Sequence, residues 1–152
     1  PKRLRDRGAM LTVVDGGLGY AATSDTSEAG LAEAFGRAHA LARAAAGRSV
    51  FDTAAAPRPT QGGRYASRVV RPAAAVPLAD KLALLQQVNA AARFDARIVD
   101  ASTSLWSVTS DQLFVTSDGV RIEQRFEFLT PSIEVTAHDG GVTQVRSSAG
   151  QY

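Results

Sequence analysis

A run of residues with period two near the carboxyl end limits the fold more than any other feature. Charged and uncharged side chains alternate strictly over nine residues: Val120, Arg121, Ile122, Glu123, Gln124, Arg125, Phe126, Glu127 and Phe128. Successive side chains of a β-strand point to opposite faces, so this pattern predicts a strand with one buried face and one charged face. Proline cannot donate to a ladder of hydrogen bonds, and we expect Pro131 to break this strand.

The chain around this strand also has an extended pattern. Further strands are predicted over residues 98–108, 112–116, 132–136 and 142–146, of which the second either continues the first or stands alone. Asp118-Gly119 and Asp139-Gly140-Gly141 supply turns, because glycine tolerates the positive φ that tight turns require. We therefore expect the last half of the chain to form an antiparallel meander.

The amino half begins with a hairpin and a helix. Two β-prone runs, residues 10–14 and 18–22, flank a tight turn at Asp15-Gly16-Gly17. The segment Ser24-Asp25-Thr26-Ser27-Glu28 is expected to open the helix, since the Asp25 carboxylate can accept from free backbone amides and Glu28 follows three residues later as in a capping box. Its apolar face is predicted to consist of Leu31, Ala34, Phe35, Ala38, Leu41, Ala42 and Ala45, and Gly47 to end it.

A long irregular connection, residues 49–76, separates this helix from a second one. It contains three prolines and a Gly-Gly pair, with a short extended piece expected at residues 68–70. Loops of this length are uncommon in compact domains unless they are functional or mobile. The second helix is expected to begin near Pro77, and its predicted buried face contains Leu82, Leu85, Val88 and Ala92, widened by Leu84 and Ala91.

These elements predict an α+β fold. Two amphipathic helices with one apolar stripe each are expected to pack on one face of an antiparallel meander accompanied by a hairpin. The chain has 152 residues, which is enough for one globular domain with a real core, and we expect residues 1–152 to form a single domain.

Composition excludes several classes of function. The formal charge is only +2 and the arginines are scattered, so the sequence lacks the basic stripe of a nucleic-acid-binding surface. There are no cysteines, which excludes disulfides and thiolate chemistry within the chain and is compatible with a reducing cytoplasm. No apolar run approaches the roughly 18 residues of a membrane span.

The residues that carry catalysis elsewhere are not clustered here. His39 and His138 lie far apart and lack a second ligand at helical spacing, so we expect them at the surface or the core edge. No serine lies in a nucleophile elbow and no glycine-rich loop precedes a helix. Other candidates are assigned structural roles. We expect Glu123, Glu127 and Glu134 to pair with Arg121 or Arg125 across the sheet. Trp106 is expected to pack on the sheet.

Three segments resemble the amino-terminal domain of TldD/PmbA proteins, once described as modulators of DNA gyrase. They are residues 8–25 with their Gly-Tyr-Ala step, residues 77–85 with an Asp-Lys pair opening a helix, and Ser117-Asp118-Gly119 with the meander to Ser148. The similarity extends from about Gly8 to Gly150 and is greater to the TldD side of the family. It implies an amino-terminal-type domain over residues 1–152, with the catalytic carboxyl-terminal domain absent.

The resemblance also implies an activity for the parent protein. TldD-like members are zinc metallopeptidases that act on unfolded peptides, with the metal held by a His-Glu-x-x-x-His helix that this chain does not contain. None of their metal or catalytic residues can be transferred to positions here, so no cofactor is expected in this chain. The implied role is to form part of a peptide-access cavity and of an interface with a homologous subunit, in a homodimer or heterodimer. Gln151 and Tyr152 are candidates for lining that cavity.

Two other functions remain open from the sequence. The chain is alternatively a stand-alone interaction module without peptidase activity, with the long connection as its binding loop. A third possibility is an effect on DNA gyrase through protein contact, for which the sequence offers no nucleic-acid-binding signature.

Overall fold

The structure is a computed structural model that describes residues 2–48, 50, 52, 55 and 57–149. The chain divides into two compact units, Pro1–Arg58 and Pro59–Tyr152, and the single domain expected over residues 1–152 stays a prediction. The predicted α+β class is confirmed, since the described residues contain two α-helices, a two-stranded sheet and a four-stranded sheet.

The first unit consists of a hairpin and one helix. Strands β1 (Ala9–Val14) and β2 (Leu18–Thr23) are antiparallel, with Val14 opposite Leu18 across a turn in which Gly16 has a φ of 69°. Helix α1 (Glu28–Ala44) follows and packs on both strands. The predicted hairpin and helix are therefore confirmed.

The amino end of α1 is capped by a different residue from the one we predicted. Ser27 is the N-cap, and its hydroxyl accepts a hydrogen bond from the backbone amide of Gly30 at 3.2 Å. Asp25 lies two residues earlier and accepts from the amide of Ser27 at 2.9 Å. The assignment of the cap to Asp25 was wrong because both side chains can accept from backbone amides, and only the path of the chain decides which of them meets the helix.

Small residues form the contact between α1 and the hairpin. Ala34, Ala38 and Ala42 are fully buried and repeat at four-residue spacing, so they lie along one side of the helix. Gly19 faces them from β2, where a Cβ atom would stand 2.9 Å from the carbonyl carbon of Ala38 and nearer still to its oxygen. The helix therefore approaches the strand more closely than larger residues allow.

The predicted apolar face of α1 is only partly buried. Phe35 and Leu41, which we placed in that face, are 52% and 49% exposed. They flank the line of alanines that contacts the hairpin, and two strands are too narrow to cover a helix beyond that line. These two members of the predicted apolar face therefore stay largely outside the contact.

The second unit is a mixed four-stranded sheet with one helix. Its strands are β3 (Gly63–Ala66), β4 (Ile98–Val115), β5 (Arg121–Asp139) and β6 (Val142–Ala149). The central strand β5 pairs antiparallel with β4 along one edge. Its other edge is shared by β3, which is parallel to it, and β6, which is antiparallel. The predicted meander is confirmed, and residues 112–116 mostly continue the preceding strand.

Pro131 does not break β5, so that prediction was wrong. It lies within the strand, opposite Leu105 of β4. On the other edge of β5, the pairing with β3 ends at Arg125 and the pairing with β6 begins at Ser132. Among the described residues no strand pairs with β5 between these points, so a proline there removes no donor from a ladder on that edge.

The connection between α1 and the second helix contains a strand where we did not expect one. The extended piece is β3 at Gly63–Ala66, not residues 68–70. Local β propensity favoured the two valines at 69 and 70, but pairing with β5 selected the segment that includes Gly63 and Tyr65. A single 3-10 turn, Ala73–Ala75, precedes the second helix.

Helix α2 (Leu78–Ala92) begins directly after Pro77, as predicted, and packs on β4. The hydroxyl of Thr103 donates to the carbonyl of Leu85 at 3.1 Å, and the amide of Asn89 donates to the carbonyl of Ala101. Ala92 is buried, but Leu82 and Val88 of the predicted buried face are exposed. The helix lies over an edge strand, which covers only part of its apolar face. Neither described helix is long and apolar enough to span a membrane.

Candidate functional site

An open cavity of about 520 Å³ lies on the charged face of the four-stranded sheet. Strands β3, β4 and β5 all contribute to its lining: Arg64, Tyr65, Ala66, Asp111, Gln112, Leu113, Arg121, Glu123, Gln124 and Arg125. The cavity lies near the carboxyl end of β4. Helix α2 contacts the other end of this strand, at Ala101 and Thr103. The charged end of this face is therefore open.

The strand register explains how these charges meet. Glu123 of β5 lies between Arg64 of β3 and Leu113 of β4, while Arg125 lies between Ala66 and Asp111. Side chains in register on neighbouring strands share a face, so the alternation along β5 places its arginines and glutamates beside those of the two flanking strands. The small side chain of Ala66 leaves space beside Arg125.

Glu123 is held between two guanidinium groups. Nε of Arg121 lies 2.8 Å from its Oε1 atom, and Nε of Arg64 lies 2.8 Å from its Oε2 atom. The hydrogen bond from Arg121 lowers the pKa of Glu123, against an opposing effect of desolvation, and the charge of Arg64 lowers it further. Glu123 is therefore a carboxylate at neutral pH, with both oxygens occupied.

Arg125 is balanced by carboxylates of its own. Its Nη1 atom lies 3.1 Å from Oδ1 of Asp111, and its Nε atom lies 3.5 Å from Oε1 of Glu127. One positive charge thus faces two negative charges, in contrast to the cluster around Glu123.

Two of the three predicted glutamate–arginine pairs form, but with a different geometry from the one predicted. Arg121 pairs with Glu123, and Arg125 with Glu127, along the same strand rather than across the sheet. The partners across the sheet are Arg64 and Asp111, which were not predicted from the sequence. The third glutamate, Glu134, lies in register with Ser102 and Ser147 instead of an arginine.

Each histidine has a neighbour within its own unit. Nε2 of His39 lies 2.8 Å from Oδ2 of Asp15 in the β1–β2 turn, and its ring stacks on Phe35 with the ring centroids 6.2 Å apart. Nδ1 of His138 lies 2.9 Å from the hydroxyl of Thr143 across the β5–β6 hairpin. His39 is partly buried and His138 is exposed, as expected for the core edge and the surface.

The opposite face of the sheet carries aromatic side chains. Phe126 contacts Tyr65 and Phe128, with ring centroids 5.4 and 5.9 Å apart. Trp106, which we expected to pack on the sheet, is 56% exposed.

No metal site is formed by the part of the chain that the structure describes. Among those residues no three His, Asp or Glu side chains come together in a way that could hold an ion, and the chain has no cysteine. These described side chains do not fit the zinc of a metallopeptidase. Gln151 and Tyr152, the predicted cavity residues, lie outside the described residues.

Each of the two units contains a segment that matches a known protein family. Residues 2–42 match the profile of PmbA/TldA metallopeptidase domain 1, and residues 71–152 match the profile of the PmbA/TldA metallopeptidase central domain. Among curated proteins, none matches the chain significantly. The first match covers the hairpin and most of α1, and the second covers α2 and the strands β4 to β6. More than half of the chain is matched by the central-domain profile alone, and the chain belongs to the PmbA/TldD metallopeptidase family.

Proposed function

We propose that this chain is a non-catalytic part of a TldD-like zinc metallopeptidase that degrades or processes unfolded peptides. The observation that carries the proposal is the match to two different domains of one metallopeptidase family, in order along the chain. The zinc is proposed for the intact parent protein, since the described residues form no cluster able to hold it. A cytoplasmic location is part of the proposal and is compatible with the cysteine-free sequence.

Within that protein, we assign the chain a role in forming the peptide-access cavity. The supporting observation is strand β4, which spans Ile98–Val115 and pairs along one edge with β5. Among the described residues no strand pairs with its other edge. An extended peptide can add to such an edge through backbone hydrogen bonds, which suits substrates of varied sequence.

A subunit interface is the second part of the role. Helix α2 exposes Leu78, Leu82 and Leu84, of which Leu84 is 53% exposed. Apolar side chains grouped on one element in this way are typical of surfaces that bind another protein. We propose a homologous TldD/PmbA-type subunit as the partner, in a homodimer or heterodimer.

The test compares the complete gene product with this chain. Metal analysis and cleavage of an unfolded peptide are measured on both. We expect about one zinc and peptide cleavage for the complete product, and neither for the chain, because its described residues lack a ligand cluster. Peptide cleavage by the chain alone would overturn the non-catalytic role. A complete product that is free of metal and inactive would overturn the peptidase assignment and favour an interaction module.

A further inference from the structure

The cluster around Glu123 has more positive than negative charge. Arg64 and Arg121 both contact the same carboxylate, so two guanidinium groups share one counter-ion. Each of them contacts Glu123 through Nε, which is one of the five N–H donors of a guanidinium. These three groups together carry a charge of +1, and among the described residues no acceptor hydrogen-bonds to the terminal amino groups of either arginine.

These terminal groups are accessible. The side chains of Arg64 and Arg121 are 82% and 61% exposed, whereas that of Glu123 is 31% exposed. All three line the cavity of about 520 Å³, together with the apolar side chain of Leu113. A ligand in the cavity can therefore reach both guanidinium groups while contacting an apolar surface.

The nearby arginine serves as an internal comparison. Arg125 lines the same cavity, but Asp111 and Glu127 already balance its charge. The surplus of positive charge is thus located at Arg64 and Arg121 and is not a general property of the charged face.

We propose that Arg64 and Arg121 form a binding site for a carboxylate of an extended peptide. Planar guanidinium groups match the geometry of carboxylates, and this pair already orients one in Glu123. The edge strand β3 lies beside the site, and among the described residues it pairs only with β5. A peptide added to its open edge would bring side chains next to Arg64. This inference rests on the proposed peptide-handling function and gives it a preference for acidic side chains or a free carboxyl end.

The probes are three labelled peptides that differ only at the central residue and at the carboxyl end. The first has a central Glu and blocked ends, the second has Gln in its place and blocked ends, and the third has Gln and a free carboxyl end. Affinity for the 152-residue chain is measured by fluorescence anisotropy at low salt. An exposed guanidinium–carboxylate contact raises affinity by about 1.5- to 5-fold, so we expect two such contacts to favour a carboxylate peptide by roughly fivefold. The preference should decrease as salt is added.

Variants of the cluster make the test specific. Arg64→Gln and Arg121→Gln should each abolish most of the preference, while Arg146→Gln, on β6 and outside the cavity lining, should retain it. Glu123→Gln should increase the preference, because it removes the internal carboxylate and raises the local charge. A purely structural role of the cluster predicts the opposite, since the loss of Glu123 would then disorder both arginines.

The outcomes separate this proposal from the proposed function. Equal binding of all three peptides would overturn the carboxylate site while leaving peptide binding intact. The site would also be overturned if inorganic phosphate displaced the labelled peptide as effectively as the unlabelled acidic peptide does. A preference that survives Arg64→Gln and Arg121→Gln would also overturn it. A complete gene product without peptidase activity, in combination with the expected preference, would overturn the proposed function and leave the site.

Discussion

The close contact between Gly19 and α1 yields the sharpest prediction. In Gly19→Ala, the added methyl group would stand 2.9 Å from the carbonyl carbon of Ala38 and nearer still to its oxygen. These obstructing atoms belong to the backbone of a helix, so no side chain can rotate to relieve the contact. The helix must instead move away from β2 by roughly 1 Å or more to restore ordinary contact distances of about 3.5 Å.

The cost follows from what this movement undoes. Ala34 and Ala38 are fully buried against the hairpin, and both lose contacts when the helix moves. Overpacking costs about 1–3 kcal/mol, and a backbone obstruction places Gly19→Ala at the upper end. We therefore expect amide exchange in the hairpin and α1 to accelerate by roughly 100-fold, as measured by native-state hydrogen exchange.

Gly36→Ala is the matched control. Gly36 lies in the same helix, and a Cβ atom there meets nothing within 4 Å. Because alanine has the higher helix propensity, this variant should be more stable by about 0.5–1 kcal/mol and slow exchange in α1. Peptides from β4 and β5 provide an internal reference in both variants. Equal effects of the two substitutions would refute the packing argument, as would wild-type exchange in Gly19→Ala.

Three further predictions concern caps, charges and the second helix. Ser27→Ala should destabilise the first unit by about 1 kcal/mol in urea unfolding, because it removes the N-cap acceptor; an unchanged midpoint would contradict that role. Hydrogen bonds from Ser27 lower the pKa of Asp25, so this carboxylate stabilises the fold fully above its unfolded value of about 3.9 and loses that effect as the pH falls through the lower folded value. Asp25→Asn should thus lower stability at pH 7 and flatten its acid dependence, and a parallel pH curve would argue against this. Leu85→Ala should cost about 1–2 kcal/mol and Leu84→Ala much less, because Leu85 is half-buried beside β4 and Leu84 is exposed; similar thermal midpoints would refute the assigned faces.

Elements defined by local patterns could be predicted from the sequence. The period-two segment became β5, the Asp-Gly-Gly segments became turns, and Pro77 precedes α2. In each case neighbouring residues carry enough information, because turn conformation and side-chain alternation are properties of a few consecutive positions. The predictions were wrong where the local structure depends on pairing with residues that are distant in the sequence. Pro131 is tolerated because its neighbours on one edge of β5 change there, which no local pattern records.

The candidate site shows the same limit. Alternation along β5 predicted that Arg121 and Glu123 share a face, and they do. Arg64 comes from the connection that we expected to be irregular, and only the parallel pairing of β3 with β5 brings it to Glu123. A four-residue strand without alternating apolar residues gives little signal of its own, so the surplus charge at this site could not be predicted.

Both units expose apolar surface, although for different physical reasons. In each unit this exposure supports the proposal that the chain binds other protein parts in a larger assembly. In the first unit, small residues let α1 approach the hairpin closely, which leaves Phe35 outside the contact and Met10 and Tyr20 on the far side of the strands. In the second, α2 lies over the edge strand β4, which is too narrow to cover the leucines of the helix. Exposed apolar groups of this size are costly in an isolated protein, because each forfeits roughly 25 cal/mol for every Å² of apolar surface left in water. Burial of these groups against other parts of a peptidase or a second subunit would recover that energy, which supports the proposed interface independently of the family match.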